Sequence, residues 1–309
     1  MANLKDYQVD EALTRISVDY QTGNMIADIV MPRIEVQSRV GYYFTFDKAR
    51  KRIHDANRTG LSRANRINNG MSKTAFGPLK EQSLEADIEY EVRDTFPTPH
   101  DARVEATDDV SEALDLIHEK DVADLLTNAS ATNISQTVTL SGTDQWNDYA
   151  NSDPFDDIQT GIDTVKLAAG VTPNKLILGY QVWSKLRHHP DLLGRLSVAS
   201  VRVLTRQLLA DLLEIEEVLI ADGTYNTADE GQTASMGYVW GKHAILVYVT
   251  NNPGIRKMNL GYTLQVADAR YVDRWDEPAV KAEFVRANDY YEEKLVAAEA
   301  GYLIKSAVA

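Results

Sequence analysis

Residues 39–80 read RVGYYFTFDKARKRIHDANRTGLSRANRINNGMSKTAFGPLK, and residues 81–130 read EQSLEADIEYEVRDTFPTPHDARVEATDDVSEALDLIHEKDVADLLTNAS. The first segment holds ten basic residues (Arg39, Lys48, Arg50, Lys51, Arg52, Arg58, Arg63, Arg66, Lys73 and Lys80) against Asp47 and Asp55, a net of +8. The second reverses the sign, with fifteen acidic residues against Arg93, Arg103 and Lys120, a net of −12. From Val40 to Phe46 the side chains are aromatic or β-branched and predict a strand. Polar sequence with glycine and asparagine follows over 47–77. An irregular excursion of that length is unfavourable in a compact domain unless something else supports it. Two adjacent blocks of opposite charge suggest the support, a basic loop laid on an acidic surface.

Working outward, Leu84, Ala86, Ile88, Tyr90 and Val92 alternate as a half-buried strand does, and Pro97 and Pro99 end it. Val110, Ala113, Leu114 and Ile117, then Val122, Leu125, Leu126 and Ala129, recur at three- and four-residue intervals. They predict an amphipathic helix of roughly twenty residues, with Asp108 and Asp109 suited to its positive N-terminal end. Upstream, residues 1–35 mix short apolar clusters with turns and read as an extended arm carrying a short helix.

Downstream, a strand at 137–140 precedes Asp153 and Pro154, a cap and a first-turn proline that open a helix closed by Gly170. Strands at 175–178 and 218–221 alternate with helices at 181–188 and 203–213, an α/β pattern. A Gly- and Thr-rich loop at 223–235 leads to strands at 237–240 and 244–250. The remaining chain predicts an antiparallel sheet from 262–266, 280–286 and 302–306, with a helix at 290–300.

Composition limits the function. The chain has 309 residues, 44% of them hydrophobic and 25% charged, which is ample for a buried core. It has no cysteine, which excludes disulfides, thiolate metal sites and thiol nucleophiles. The net charge of −14 has the wrong sign for a protein that neutralises a long run of phosphates. No stretch has the length of a membrane span, and residues 1–10 lack the basic and apolar parts of a signal peptide, so the expected compartment is the cytoplasm.

The familiar catalytic patterns are missing. Gly241-Lys242-His243 lacks the upstream glycine and the hydroxyl of a phosphate-cradling loop, and neither the dinucleotide fingerprint nor the Gly-x-Ser-x-Gly elbow occurs. In His188-His189-Pro190-Asp191 adjacent imidazoles diverge and suit a helix end better than a shared metal. Asp108-Asp109 and Asp156-Asp157 sit where helix starts favour acids. Tyr42, Tyr43, Phe44 and Phe46, beside the basic segment, suit protein contact better than stacking on a nucleic-acid strand. The reading is of no catalytic, cofactor-binding or metal-binding residues, and no cofactor.

The whole chain resembles the major capsid proteins of tailed bacteriophages, the lambda-type major head proteins included. The resemblance rests on two pieces, residues 139–154 (TLSGTDQWNDYANSDP) and the run from 225–228 (YNTA) through 231–235 (GQTAS) to 239–244 (VWGKHA), with 25–32 (MIADIVMP) a weaker third. It implies the α+β Hong Kong 97-type fold. By resemblance, 1–35 would be an N-terminal arm, 36–92 an extended β-hairpin loop, and 93–152 a peripheral domain with a long spine helix. Residues 153–255 would be an axial α/β domain, and 256–309 C-terminal strands of the peripheral domain.

The resemblance further implies a non-enzymatic subunit that assembles with its own copies into pentamers and hexamers. The resulting icosahedral head would enclose double-stranded DNA without reading its sequence, in the virion and, during assembly, in the host cytoplasm. Scaffolding, portal and decoration proteins are the other expected partners, with no membrane. The scaffolding protein is expected to be separate, because the arm begins close to Met1. Joined to the charge pattern, this predicts that Arg50, Lys51, Arg52, Arg58, Arg63 and Arg66 of one copy meet Asp108, Asp109, Glu112, Asp115 and Glu119 of the next. Two other readings stay open: an encapsulin-like compartment shell of the same fold, and an α/β enzyme acting around 153–250.

Overall fold

The structure is a computed structural model that describes residues 8–19, 25–46, 51–58, 60, 63–67, 70–95, 99–128, 133–196, 203–229 and 231–309. In chain order the elements begin with β1 (Gln8–Val9), α1 (Glu11–Asp19), α2 (Ala27–Val30), β2 (Arg33–Val36), β3 (Gly41–Phe46), β4 (Met71–Phe76) and β5 (Lys80–Glu89). Next come α3 (Tyr90–Thr95), α4 (Pro99–Thr127), β6 (Gln136–Thr139), α5 (Pro154–Ala169), β7 (Lys175–Gly179), α6 (Tyr180–Leu186), α7 (Pro190–Arg195) and α8 (Arg206–Leu213). The chain ends with β8 (Glu217–Ala221), β9 (Thr224–Asn226), β10 (Met236–Tyr238), β11 (Ala244–Val247), β12 (Gly261–Val266), β13 (Tyr271–Glu277), β14 (Ala282–Leu295) and β15 (Gly301–Lys305).

A five-stranded mixed sheet runs β6-β15-β11-β7-β8, and its central strands read as continuous apolar runs because both faces are covered. Leu176, Leu178, Leu246 and Ile304 face α5, α7 and α8 in one core. Ile177, Ile245, Val247 and Leu303 face α2 and α4 in another. Helix α5 has the expected ends: the Asp153 carboxylate accepts the Asp156 amide, and Gly170 takes the left-handed conformation with φ of 69°.

The second sheet has six strands, in the order β1-β13-β14-β12-β2 with β5 also on β14. Strand β14 is its axis, pairing with β13 and β5 along one part and β12 along another. The helix expected at 290–300 is instead the end of this strand and the turn beyond it. Tyr290 and Tyr291 are strand formers, and partners on β5 and β12 complete the ladder that the local helical spacing does not anticipate.

Sheet membership also cuts across the sequence blocks. Strand β15, expected with the C-terminal antiparallel sheet, lies between β11 and β6 in the five-stranded sheet. Strand β5, placed in the loop from sequence, is built into the six-stranded sheet. Strand β2 of the arm joins the same sheet parallel to β12.

Helix α4 links the two cores. It starts at Pro99, earlier than the periodicity indicates, since proline is tolerated at a first helical position. Ala102, Ala106, Val110 and Leu114 pack on β14 and α1. Val122, Ala123 and Leu126 pack on the five-stranded sheet. Where the helix passes from one core to the other it buries polar residues, His118 at 3% exposure and Glu119 at 0%. Glu119 Oε2 accepts the backbone amides of Ile26 (3.0 Å) and Ala27 (2.7 Å), and Oε1 accepts the indole N–H of Trp240. One carboxylate therefore fixes the arm, the long helix and the loop before β11 together. Burial raises its pKa, against the lowering effect of these three donors.

Two expectations follow for stability. Glu119→Ala strands three buried donors at about 1–3 kcal/mol each and lowers the denaturant midpoint accordingly. Gly179→Ala places a methyl 2.1 Å from the Gly241 carbonyl oxygen, a backbone atom that cannot move aside, and lowers the melting temperature. Gly194→Ala, in α7 with nothing within 4 Å, leaves that temperature unchanged or higher.

Candidate assembly surface

Strands β3 and β4 form an antiparallel ribbon, Gly41 opposite Phe76 and Phe46 opposite Met71. Between them lies the basic excursion, and of its described residues, 51–58, 60, 63–67 and 70, none is paired in a strand. Lys51, Arg52, Arg58, Arg63 and Arg66 are all exposed, while Arg50 lies outside the described residues. Asp55 serves the loop internally: its carboxylate accepts the Asn57 amide at 2.9 Å and its carbonyl accepts Asn65 Nδ2 at 2.9 Å. Lys51 donates to the Gly170 carbonyl at 3.2 Å, at the negative end of α5, and so is anchored on its own chain. Among the described residues, no ion pair engages Arg52, Arg63 or Arg66. Ile53 is 96% and Ile67 68% exposed on the same loop. Apolar and cationic side chains thus alternate on a segment that buries neither on its own subunit.

The acids expected to receive this loop do not form one surface. On α4, Asp109 and Glu112 are exposed and Asp108 is half-buried. Asp115 is engaged within the subunit, accepting from Arg270 at 2.6 Å, and Glu119 is buried in the junction described above. The expectation that these two face a neighbour is therefore corrected. Both are polar residues on the core side of α4, a placement that a charge count along the sequence does not register.

A second acidic surface escaped the residue-level reading. In β5, Leu84, Ala86 and Ile88 turn toward α4 and its core. The alternate residues Glu81, Glu85, Asp87 and Glu89 are exposed on the opposite face. Among the described residues, Glu85 alone of these pairs with a cation, Arg286 at 3.6 Å. The signal was present in the two-residue period of this strand: if the apolar set faces inward, the acids between them face out.

The polar clusters inside the molecule are arranged for structure. Ser152 Oγ and His189 Nε2 lie 3.1 Å apart, the separation of a nucleophile and its base. The hydrogen-bond directions are reversed for that chemistry. His189 Nδ1 accepts the Asp191 amide at 3.3 Å, which leaves the ring proton on Nε2, and the Ser152 hydroxyl donates to the Asp148 carbonyl at 2.7 Å. A nucleophilic serine requires an unprotonated Nε2 to take its proton. Burial also lowers the His189 pKa, with Asp191 and Asp153 opposing. Among the described residues no group of His, Asp and Glu is placed to hold a metal ion, and no helix is long and apolar enough to cross a membrane.

No protein-family model matches the chain. Over 303 residues, covering 96% of this chain and 95% of the relative, it is 30% identical to the major capsid protein of Burkholderia phage BcepMu. A phage-related protein from Bordetella bronchiseptica superposes with a TM-score of 0.78 at 25% identity, covering 97% of both chains. The capsid protein of a prophage of E. coli CFT073, described as putative, superposes with a TM-score of 0.57 at 11% identity over 95% of this chain and 96% of that one, a likeness of fold alone. Similarity that runs the length of the chain, through the exposed ribbon as well as both cores, places it: the chain belongs to the major capsid protein family of tailed bacteriophages and has their Hong Kong 97-type fold.

Proposed function

We propose that this chain is the structural subunit of a tailed-phage head, working by assembly with its own copies into the pentamers and hexamers of an icosahedral shell around double-stranded DNA. The observation that carries the reading is the basic excursion, on which Ile53 and Ile67 are exposed and, among the described residues, Arg52, Arg63 and Arg66 enter no ion pair. Such a segment becomes favourable when a neighbouring copy supplies acids and apolar contact. The chain acts in the virion, with assembly in the host cytoplasm. A scaffolding protein, a portal and a decoration protein complete its set of partners. In this scheme 1–35 is the arm, 36–92 the extended loop, 93–152 the spine-helix region, 153–255 the axial region, and 256–309 the returning strands.

The receiving surface combines Asp109 and Glu112, exposed on α4, and the half-buried Asp108 with the outward stripe of β5 (Glu81, Glu85, Asp87 and Glu89). The donors are Arg52, Arg58, Arg63 and Arg66 with Arg50, and Lys51 stays on its own α5. Single exposed ion pairs contribute only about 0–1 kcal/mol. Their effect here is in choosing partner and register, repeated at every subunit contact. The net charge of −14 agrees with a shell whose wall does not hold packaged phosphates.

A charge-exchange experiment tests this. A variant with Arg52, Arg63 and Arg66 changed to Glu, and a second with Glu81, Asp87 and Glu89 changed to Lys, are each expected to remain below capsomer size in sedimentation. Mixed, they are expected to recover larger species in which both variants are present. Assembly of either variant alone at the level of the unmodified chain contradicts the proposal.

A further inference from the structure

Among the described residues, strand β5 pairs along one edge alone, with β14, and the hydrogen bonds fix which of its backbone groups are left over. In an antiparallel pair a residue directs both its N–H and its C=O to one side, and the next residue directs both to the other. The Tyr90 amide, one residue beyond β5, donates to the Lys281 carbonyl on the β14 side at 3.1 Å. The far flank of β14 gives the same phase. Val272 of β13 turns away from β14, its amide donating to Thr14 Oγ1 and its carbonyl accepting the Asp10 amide. Its partner Ala287 therefore turns toward β5, where it meets Leu84. The even-numbered residues of β5 bond to β14, and Glu81, Ser83, Glu85, Asp87 and Glu89 direct their amides and carbonyls outward.

Among the described residues, nothing bonds to those outward backbone groups. An edge of that kind is a template for another strand. Its side chains decide which strand. Glu81, Glu85, Asp87 and Glu89 are exposed on the open face, so a second β5 laid alongside would set carboxylate against carboxylate. A cationic strand meets the same stripe favourably. On the other face Leu84 and Ala86 are only half-buried beside α4, which leaves apolar surface for one more side chain.

Residues 63–67, Arg-Ala-Asn-Arg-Ile, have the matching chemistry. All are exposed, and the bond from Asn65 Nδ2 to the Asp55 carbonyl leaves their backbone groups unpaired among the described residues. In an extended strand Arg66 and Ile67 point to opposite faces, and Arg63 shares the face of Ile67. We infer that residues 63–67 of a second copy add to the open edge of β5 as a further strand of its sheet. Arg66 then lies on the stripe of Glu81, Glu85, Asp87 and Glu89. Ile67 packs beside Leu84 and Ala86, and Arg63 points to the side on which α4 carries Asp109 and Glu112. The other cation–isoleucine pair, Arg52-Ile53, is kept beside its own α5 by the bond from Lys51 to the Gly170 carbonyl.

This inference rests on the reading of the loop as an intersubunit contact, and adds to that contact a backbone ladder that charge alone does not supply. Ser83 separates the two, since its amide points outward and its side chain carries no charge. Ser83→Pro replaces that N–H with ring carbon and leaves every acid of the stripe in place, a change that an edge strand tolerates where the amide faces away from its sheet. Ser83→Ala removes only the hydroxyl, which donates to Asn288 Oδ1 at 2.8 Å.

In sedimentation of the full chain, Ser83→Pro is expected to raise the concentration needed for capsomers by at least about tenfold, and Ser83→Ala to match the unmodified chain. Hydrogen–deuterium exchange resolved to single residues, assembled against unassembled, reads the unmodified chain and needs no variant to fold. The amides of Glu81, Ser83, Glu85, Asp87 and Glu89 are expected to slow several-fold on assembly, with those of Leu84, Ala86 and Ile88 already slow in both states. Assembly of folded Ser83→Pro at the level of Ser83→Ala overturns the inference and leaves the charge contact standing, and so do odd-numbered amides that stay fast in the assembled state. Failure of the unmodified chain to assemble under any condition overturns both the inference and the reading beneath it.

Discussion

The architecture depends on what α4 does at His118 and Glu119. A long helix that serves two cores must cross a region where its stripe toward one ends and its stripe toward the other begins, and here that crossing is filled with buried polar side chains. Burial of a carboxylate is costly unless its oxygens are satisfied, and Glu119 is satisfied by three donors from two separate parts of the chain. The arm and the loop carrying Trp240 are thereby tied to the helix by directional bonds, in addition to apolar packing. The relative placement of the two sheets follows from this tie and from β14, whose pairing with three strands makes the second sheet rigid enough to carry the ribbon.

The ribbon is the functional consequence. Strand β5 is built into the six-stranded sheet, and β3 and β4 extend from it through a short connection in which the Leu79 amide donates to the Arg39 carbonyl at 2.9 Å. The root of the loop is thereby tied to the six-stranded sheet, at a fixed place on the subunit. Capsid assembly requires that property, because each subunit must find the same patch on the next one.

Local chemistry made parts of this legible. Asp153, Pro154 and Gly170 mark both ends of α5 with residues whose conformational preferences act at that position alone, and the doubly buried strands β7, β8 and β11 announce themselves as short apolar runs. Non-local pairing hid the rest. Tyr290 to Leu295 satisfies a helical spacing, yet becomes strand because β5 and β12 are beside it. Strand β15 looks the same in sequence whichever sheet receives it. Of the acids expected on the assembly surface, Asp115 and Glu119 belong to the interior, and no count of charge along a segment separates a carboxylate that faces solvent from one that caps a buried amide. The outward stripe of β5 is the converse case, readable from the period of two once Leu84, Ala86 and Ile88 are taken as the inner face.

The central claim is that this chain's function is its own assembly. Negative-stain electron microscopy of the purified chain, produced alone and together with the scaffolding protein proposed for it, tests it most directly. The account predicts ring-shaped capsomers, tubes or closed polyhedral shells built from this chain. Compact monomers or dimers under both conditions, at concentrations where the fold is intact, would contradict it.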